Sequence, residues 1–246
     1  MNTELDEVGA TTPHDDRVPN HECYRHVRRN VTELLTEARP SANSAVPACP
    51  KWTLRGLLTH LVGVAAAAIG NLPGGLSTAA SPFAGMDIPE LLAQWEQLGA
   101  AVDVLLAEKG GKHGNILVMD AFTHELDIRY ALGADLPATH PAFAGAFTVL
   151  TRGFATAVHE HGLPALRLSS GSTQWTIGDG VPAATLTATR YDLYRSLSGR
   201  RSHRQITALD WNRDSHRWLP AFTWGPFTPP VSPVEPVGLL RRVQPA

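Results

Sequence analysis

Three side chains on two predicted helices have the types and spacing that suit a bound metal ion. His60 ends the run W-T-L-R-G-L-L-T-H-L within residues 52–61, and Asp120 and His124 lie in D-A-F-T-H-E-L-D at residues 120–127. Residues four apart share one face of a helix, so Asp120 and His124 can reach the same ion. Two imidazoles and one carboxylate match catalytic zinc, which keeps a fourth position open. The sequence therefore predicts a zinc site formed by His60, Asp120 and His124.

Each of these residues also has an ordinary structural interpretation. An Asp–His pair four apart is common on solvated helix surfaces, and a lone histidine among apolar residues is usually hydrogen-bonded packing. However, His60 lies three residues after Leu57 and four before Val64, on a stripe that the helical period turns inward. Asp120 and His124 interrupt a similar apolar stripe. An unpaired buried polar group costs roughly 2–7 kcal/mol, so these side chains should have partners, and facing helices of a bundle commonly supply a metal.

The elements that must position these residues are amphipathic helices. Apolar residues recur at spacings of three and four in five segments before residue 163. Thr53 is a suitable N-cap for the second of them. The predicted helices run from Cys23 to before Pro40, from Thr53 to the L-P-G-G-L segment, from Asp87 to before Gly110, from about Asn115 to Leu132, and from Pro141 to His161.

After Pro164 the pattern changes to short alternating or β-branched runs that are typical of strands. These runs are L-R-L-S-S, T-Q-W-T-I, A-A-T-L-T and Q-I-T-A-L-D-W, with a helix at about Thr189 to Leu197 among them. The fold class is therefore predicted as α+β, with a helical bundle followed by a smaller α+β domain. The predicted divisions are a flexible leader at 1–19, the bundle at 20–162, and a C-terminal domain with a Pro-rich, surface-wrapping tail at 163–246.

Composition narrows the functional classes. Hydrophobic residues make up 43% of the 246 residues, which is enough for a core, and the net charge of -2 gives no reason to expect nucleic acid as a partner. The longest apolar stretch, at 57–72, is interrupted by glycines and a histidine, so no membrane span is predicted. Two cysteines, Cys23 and Cys49, and no signal-peptide pattern favour the reducing cytoplasm. Small-molecule chemistry is the expected function.

Three segments in this order resemble one known family. They are A-C-P-K-W-T-L-R-G-L-L-T-H-L at 48–61, D-A-F-T-H-E-L-D-I-R-Y-A-L-G at 120–133 and D-L-Y-R-S-L-S-G-R at 192–200. The chain resembles the mycothiol-dependent maleylpyruvate isomerase-like enzymes, which are relatives of the DinB-like metal-binding four-helix bundles. The resemblance implies a DinB-like up-down bundle at 20–162 and the smaller C-terminal α+β domain.

The resemblance also implies a ligand set and a reaction. The family's zinc ligands map onto His60, Asp120 and His124, with Asp120 standing where the family has a glutamate that is one methylene longer. Zinc would bind the thiol of mycothiol, a small thiol of actinobacteria, and lower its pKa. The thiolate would attack an electrophilic small molecule, giving S-conjugation, thiol exchange or cis–trans isomerisation. Arg200 matches a family arginine that would bind a carboxylate of the substrate or polar groups of the cofactor.

Other roles are left open by the sequence. Asp127 lies on the same face as His124, and would hold the imidazole, contact substrate, or form an ordinary salt bridge. Arg201 and Arg204 are predicted to be solvated, and neither cysteine is predicted to be a nucleophile. Two competing hypotheses are a non-catalytic metal-binding or regulatory bundle and a thiol-independent metal hydrolase. The sequence does not specify the electrophile or the oligomeric state. Substrate choice is assigned to the loop at residues 71–87 and the interdomain cleft.

Overall fold

The computed structural model describes residues 18–70, 81–108 and 111–237. Most of the predicted leader and residues 71–80 of the predicted substrate loop lie outside the described residues. Five long helices come first, close to the predicted segments. They are α1 (Asn20–Ala38), α2 (Leu54–Ala68), α3 (Ile88–Glu108), α4 (Lys112–Leu132) and α5 (Ala142–Glu160).

The first four helices form a bundle in which α1 and α2 each pack against both α3 and α4. Their apolar stripes meet in a core that includes Val27, Leu58 and Phe122, all with 0% exposure. The fifth helix packs on the outside of this bundle against α4 and α1. This arrangement places α2 and α4, which carry the three predicted ligands, next to each other.

The predicted cap fixes where His60 lies along its helix. Thr53 accepts a hydrogen bond at Oγ1 from the Gly56 backbone N–H at 3.2 Å, so α2 begins at Leu54. Since a helix turns every 3.6 residues, His60 comes about two turns after the cap, among the buried residues Leu57, Leu58 and Leu61.

The C-terminal part contains a small mixed sheet beside short helices. Its elements are β1 (Leu166–Ser170), β2 (Thr173–Ile177), β3 (Ala184–Thr187), α6 (Arg190–Leu197), α7 (His203–Thr207), β4 (Asp210–Trp211), and two 3-10 turns at Ser215–Arg217 and Leu219–Phe222. The strand order is β2-β1-β3-β4, with β1 and β3 parallel and the two outer pairs antiparallel. Helix α5 packs against both α6 and β2, which ties the sheet region to the bundle. The predicted α+β class is confirmed.

One predicted strand is wrong over most of its length. The run Q-I-T-A-L-D-W at 205–211 begins inside α7, and only Asp210–Trp211 pairs as β4. A capping box explains the helix: Ser202 Oγ accepts from the Gln205 N–H, and Gln205 Oε1 accepts from the Ser202 N–H. The Ser-x-x-Gln spacing was visible in the sequence, but the β-branched residues were given more weight.

The C-terminal segment does not only wrap the surface. Up to residue 237 it buries Trp218, Phe222 and even the carboxylate of Glu235, which is 4% exposed. The ring of Trp224 lies so close to α5 that a Cβ on Gly153 would be 1.9 Å from it. Among the described helices, none is both long and apolar enough to cross a membrane.

Candidate metal centre

The bundle brings the three predicted ligands together. Helix α2 supplies His60, and α4 supplies Asp120 and His124, whose candidate ligand atoms all lie within 4.8 Å of one another. His60 Nε2 is 3.4 Å from Asp120 Oδ1 and 3.3 Å from Asp120 Oδ2. His124 Nε2 is 3.7 Å from Asp120 Oδ1. The carboxylate therefore lies between two imidazole nitrogens from different helices.

These separations fit an ion better than they fit direct hydrogen bonds. Zinc ligands at about 2.0–2.2 Å in a tetrahedral arrangement are roughly 3.4 Å from each other. Charge-assisted N–H···O bonds are shorter, at about 2.7–2.9 Å. In addition, Asp120 Oδ2 is buried and receives no hydrogen bond from any residue that the structure describes. Such an orphaned oxygen between two imidazoles is what a metal ion would satisfy.

The protonation of Asp120 suits a ligand. Burial raises the pKa of this carboxyl, but the neighbouring imidazoles of His60 and His124 hold it below its ordinary value. Asp120 is therefore ionised at neutral pH and available to a cation.

Trp52 forms an aromatic cover over both histidines. Its ring centroid lies 4.8 Å from that of His60 and 5.6 Å from that of His124, and the two imidazoles meet edge to face at 5.0 Å. Trp52 lies just before the cap residue Thr53, so the start of α2 also fixes this ring. Its contact with the imidazoles limits their orientations.

Asp127 holds His124 from the other side. Its Oδ2 accepts a 2.8 Å hydrogen bond from His124 Nδ1, which leaves the Nε2 lone pair facing Asp120. Both Arg200 Nη2, at 2.9 Å, and Arg195 Nη2, at 2.5 Å, also donate to this carboxylate. Burial raises the pKa of Asp127, yet the charges of Arg200 and Arg195 hold it well below its usual range. The buried Asp127 carboxylate therefore both hydrogen-bonds the His124 imidazole and forms salt bridges, which are two of the roles predicted for it.

Arg200 reaches the centre because a glycine precedes it. Gly199 has φ +70, and a Cβ there would lie 2.9 Å from the Thr228 backbone nitrogen, so only glycine allows this close approach. The Arg200 guanidinium donates to Asp127 through Nε at 3.3 Å and Nη2 at 2.9 Å, and to the Ser198 carbonyl through Nη1 at 2.6 Å. Arg200 thus joins the second part of the chain to the metal-ligand helix.

A cavity of about 1210 Å³ opens onto these residues. It exceeds the roughly 300–1,000 Å³ of typical small-molecule pockets, so it has room for more than one small molecule. Its polar side carries Asp120, His124 and Arg200, and its apolar side is formed by three helices and the C-terminal segment. The apolar lining includes Val64, Ala68, Leu105, Leu106, Ile116, Leu117 and Phe227.

Cys49 lies on the cavity wall but is poorly suited to nucleophilic chemistry. Its Sγ donates to Asp127 Oδ2 at 3.5 Å. Burial, reinforced by the charge of Asp127, raises the pKa of the Cys49 thiol to about 12. Cys49, His124 and Asp127 form a second group with metal-ligand spacing. That group is less suitable because Asp127 already accepts hydrogen bonds from two arginines and from His124 Nδ1. Cys23 is buried in the core of the bundle at 3% exposure.

Sequence reasoning missed three charged residues behind Asp127. Arg195 and Arg201 each form an ion pair with Glu235, and all three side chains have 0% exposure. The prediction that Arg201 is solvated is wrong, because it lies beneath the Pro-rich segment, whereas Arg204 is exposed as expected. No local pattern points to Glu235, because its partners are more than thirty residues away along the chain.

Comparison with known proteins finds a family that matches the N-terminal part of the chain. Residues 24–111 match the family model of the mycothiol maleylpyruvate isomerase N-terminal domain. The predicted family resemblance is confirmed. The matched residues include His60, while Asp120 and His124 lie beyond them.

Solved structures of a mycothiol-dependent maleylpyruvate isomerase and of a mutant of it are also similar. Each is 16% identical over 80% of this chain and 95% of the other chain, with TM-scores of 0.47 and 0.46 respectively. Neither likeness is close enough to assign a function. The comparison with curated proteins found no match.

Proposed function

We propose that this protein is a zinc-dependent enzyme that uses mycothiol as a thiol cosubstrate and reacts it with an electrophilic small molecule. The observation that carries the proposal is the group His60, Asp120 and His124, whose atoms have the spacing of ligands around one ion, and two of which, Asp120 and His124, line a large cavity. The N-terminal family match and the resemblance of the three sequence segments support mycothiol as the thiol.

The chain's own residues would each have a defined part. His60, Asp120 and His124 would hold the zinc, and zinc bound there supplies a charge that lowers the pKa of a nearby thiol. Asp127 orients His124 through its Nδ1 hydrogen bond. Trp52 packs against both imidazoles and limits their orientations.

Arg200 would act on the bound molecules rather than on the metal. Its guanidinium faces the cavity while Asp127 fixes its position, so it can present a donor to a carboxylate or to polar groups of mycothiol. We therefore assign Arg200 to cofactor and substrate binding and Asp127 to the support of both Arg200 and His124.

In the reaction, the thiolate sulfur adds to an electrophilic carbon while the π bond of an alkene or a C–O bond of an epoxide breaks, and in the released adduct the thiol proton is on the adjacent carbon or oxygen. If the adduct is released, the product is a thioether; if the carbon–carbon bond rotates and the thiol leaves again, a double bond is isomerised. Both outcomes need the same residues, so the substrate determines which reaction is seen. The apolar side of the cavity favours electrophiles with a hydrophobic body over small, doubly charged ones.

The test combines metal analysis with mass spectrometry of mycothiol adducts. Purified protein should contain about one zinc per chain. The zinc-loaded protein should then consume electrophiles from a panel of epoxides, activated alkenes and maleyl compounds only when mycothiol is present. His60→Ala should lose both zinc and turnover. His26→Ala is a matched control, because His26 is a partly buried histidine of α1 that does not belong to the ligand group.

Other outcomes would favour the competing functions. Zinc and mycothiol binding without any turnover would point to a binding or regulatory bundle. Turnover that needs zinc but proceeds equally well without a thiol would point to a hydrolase. Full activity of both the metal-free protein and the His60→Ala variant would refute the proposed metal centre.

A further inference from the structure

Glu235 is an unexpected buried carboxylate in the C-terminal segment. Its Oε2 accepts from Arg195 Nε at 3.0 Å and from Arg201 Nη1 at 2.7 Å, and its Oε1 accepts from Arg195 Nη2. Its backbone carbonyl accepts from Gln205 Nε2 at 2.6 Å. A carboxylate with this many partners is held in one position.

The surroundings of Glu235 form a balanced charge network. Three arginines, at 195, 200 and 201, face three carboxylates, at 127, 192 and 235. Removing one partner of a buried ion pair is strongly destabilising, because the remaining charge is left without compensation. Without Glu235, Arg195 would have only Asp127 as a charged partner among the described residues, and would compete there with Arg200 and His124.

The network leads directly to a predicted metal ligand. Arg195 donates from Nη2 to Asp127 Oδ1, and the other oxygen of Asp127 accepts from His124 Nδ1. We infer that Glu235 is a positioning residue for the metal centre: by fixing Arg195, it keeps Asp127 Oδ2 available to orient His124. This inference rests on the proposed function, since it assumes that His124 binds zinc.

Glu235 also pairs with Arg201, and this branch of the network, formed by Arg201 and its other partners, can serve as a control. Arg201 donates from Nη2 to Asp192 Oδ1 at 3.1 Å and to the Tyr130 hydroxyl at 3.0 Å. Arg201 also donates from Nη1 to Glu235 Oε2, but without Arg201 the Glu235 carboxylate keeps both of its hydrogen bonds from Arg195, so the link through Arg195 toward His124 is retained. A loss of ion pairing in this branch should therefore affect stability without disturbing the imidazole.

The experiment compares zinc affinity in full-length variants by competition with a chromophoric chelator. Glu235→Gln should weaken zinc binding by about tenfold, at the low end of the roughly 10–100-fold range for residues that support metal ligands. Arg201→Gln should lower the melting temperature about as much as Glu235→Gln does, but leave zinc affinity within about twofold of the wild type. Glu235→Asp should recover part of the lost affinity, because it restores the charge.

A spectroscopic readout separates positioning from loss of stability. In metal-free protein, long-range ¹H–¹⁵N spectra of the His124 ring should show the Nδ1–H tautomer in the wild type and in Arg201→Gln. Glu235→Gln should show a mixture of tautomers. If Glu235→Gln does not fold, Arg195→Lys tests the same link, because it shortens the donor and keeps the charge.

The possible failures can be told apart. If the wild type binds zinc, and either Glu235→Gln keeps full affinity or Arg201→Gln loses as much as Glu235→Gln, the positioning role of Glu235 is wrong. If the wild type itself binds no zinc, the proposed metal-dependent function fails instead.

Discussion

Helix α4 carries two clusters of histidine and carboxylate on opposite sides. On one side, His124 lies between Asp120 and Asp127. On the other side, Glu125 pairs with His140 from the loop before α5, with Nε2 and Oε2 3.0 Å apart and both side chains at 0% exposure. Asn30 Nδ2 and Arg129 Nε also donate to Glu125 Oε1, at 3.0 and 2.8 Å. The second cluster is closed, because both of its carboxylate oxygens are hydrogen-bonded.

The first cluster has the same residue types but different geometry. The distances from Asp120 to the two histidines are 3.3–3.7 Å rather than 3.0 Å, and Asp120 Oδ2 has no hydrogen-bond donor among the described residues. It also lines the cavity of about 1210 Å³, whereas in the Glu125 cluster only His140 lines a separate cavity, of about 690 Å³. The comparison shows that composition alone does not define a metal site. What distinguishes the first cluster is an unsatisfied carboxylate oxygen, Asp120 Oδ2, beside the cavity that Arg200 also lines.

The strongest test of this difference is to delete one histidine from each cluster. His124→Ala removes a zinc ligand, so the bound zinc should fall from about one per chain to a trace. His140→Ala should keep its zinc, but lose about 3 kcal/mol of unfolding free energy, because it leaves Glu125 partly unpaired around a cavity. Elemental analysis and chemical denaturation measure the two effects. Equal zinc loss in both variants would show that the clusters do not differ in function.

Neutralising one carboxylate in each cluster should give a smaller contrast. Asp127→Asn keeps an oxygen for His124 Nδ1 but removes the charge that faces Arg195 and Arg200, so zinc affinity should fall by about 10–100-fold. Glu125→Gln should cost about 3 kcal/mol of stability. Calorimetric titration with zinc measures the affinities, and the zinc affinity of Glu125→Gln should match the wild type. A comparable loss of affinity in Glu125→Gln would mean that stability, rather than local geometry, controls zinc binding.

These two clusters also show which features of the site can be predicted from the sequence and which cannot. The helical period correctly placed His60, Asp120 and His124 on neighbouring inward stripes, because amphipathic periodicity reports which face is buried. The same period places Glu125 on a different face of α4. It did not reveal that the opposite face of α4 is buried as well, since α5 covers it only in the tertiary structure.

The residues behind Asp127 were harder to predict. Arg201 was assigned to solvent because charged residues are rarely fully buried, yet its side chain is 0% exposed. Arg201 is buried because Glu235 pairs with it. Glu235 lies in a C-terminal segment that has no helical or strand periodicity. Local patterns carry no information about such a distant pairing. The helix at His203–Thr207 is a different case, because the capping residues Ser202 and Gln205 were a usable local signal.

The smallest test changes each cluster by one methylene. Asp120→Glu adds a methylene on the open side, where the Asp120 side chain is 28% exposed and faces the cavity, so stability should hardly change. Zinc affinity should stay within about tenfold of the wild type, because the carboxylate is retained in a position with room to adjust.

Glu125→Asp removes a methylene on the closed side, where the surrounding groups cannot follow the shortened chain. Stability should fall by about 1 kcal/mol or more, from lost burial and a small cavity, with zinc affinity unchanged. Thermal unfolding with and without zinc measures both variants. If Asp120→Glu instead destabilises the fold as much as Glu125→Asp, the side of α4 that bears Asp120 is as tightly packed as the other, and the geometric argument for a metal there is lost.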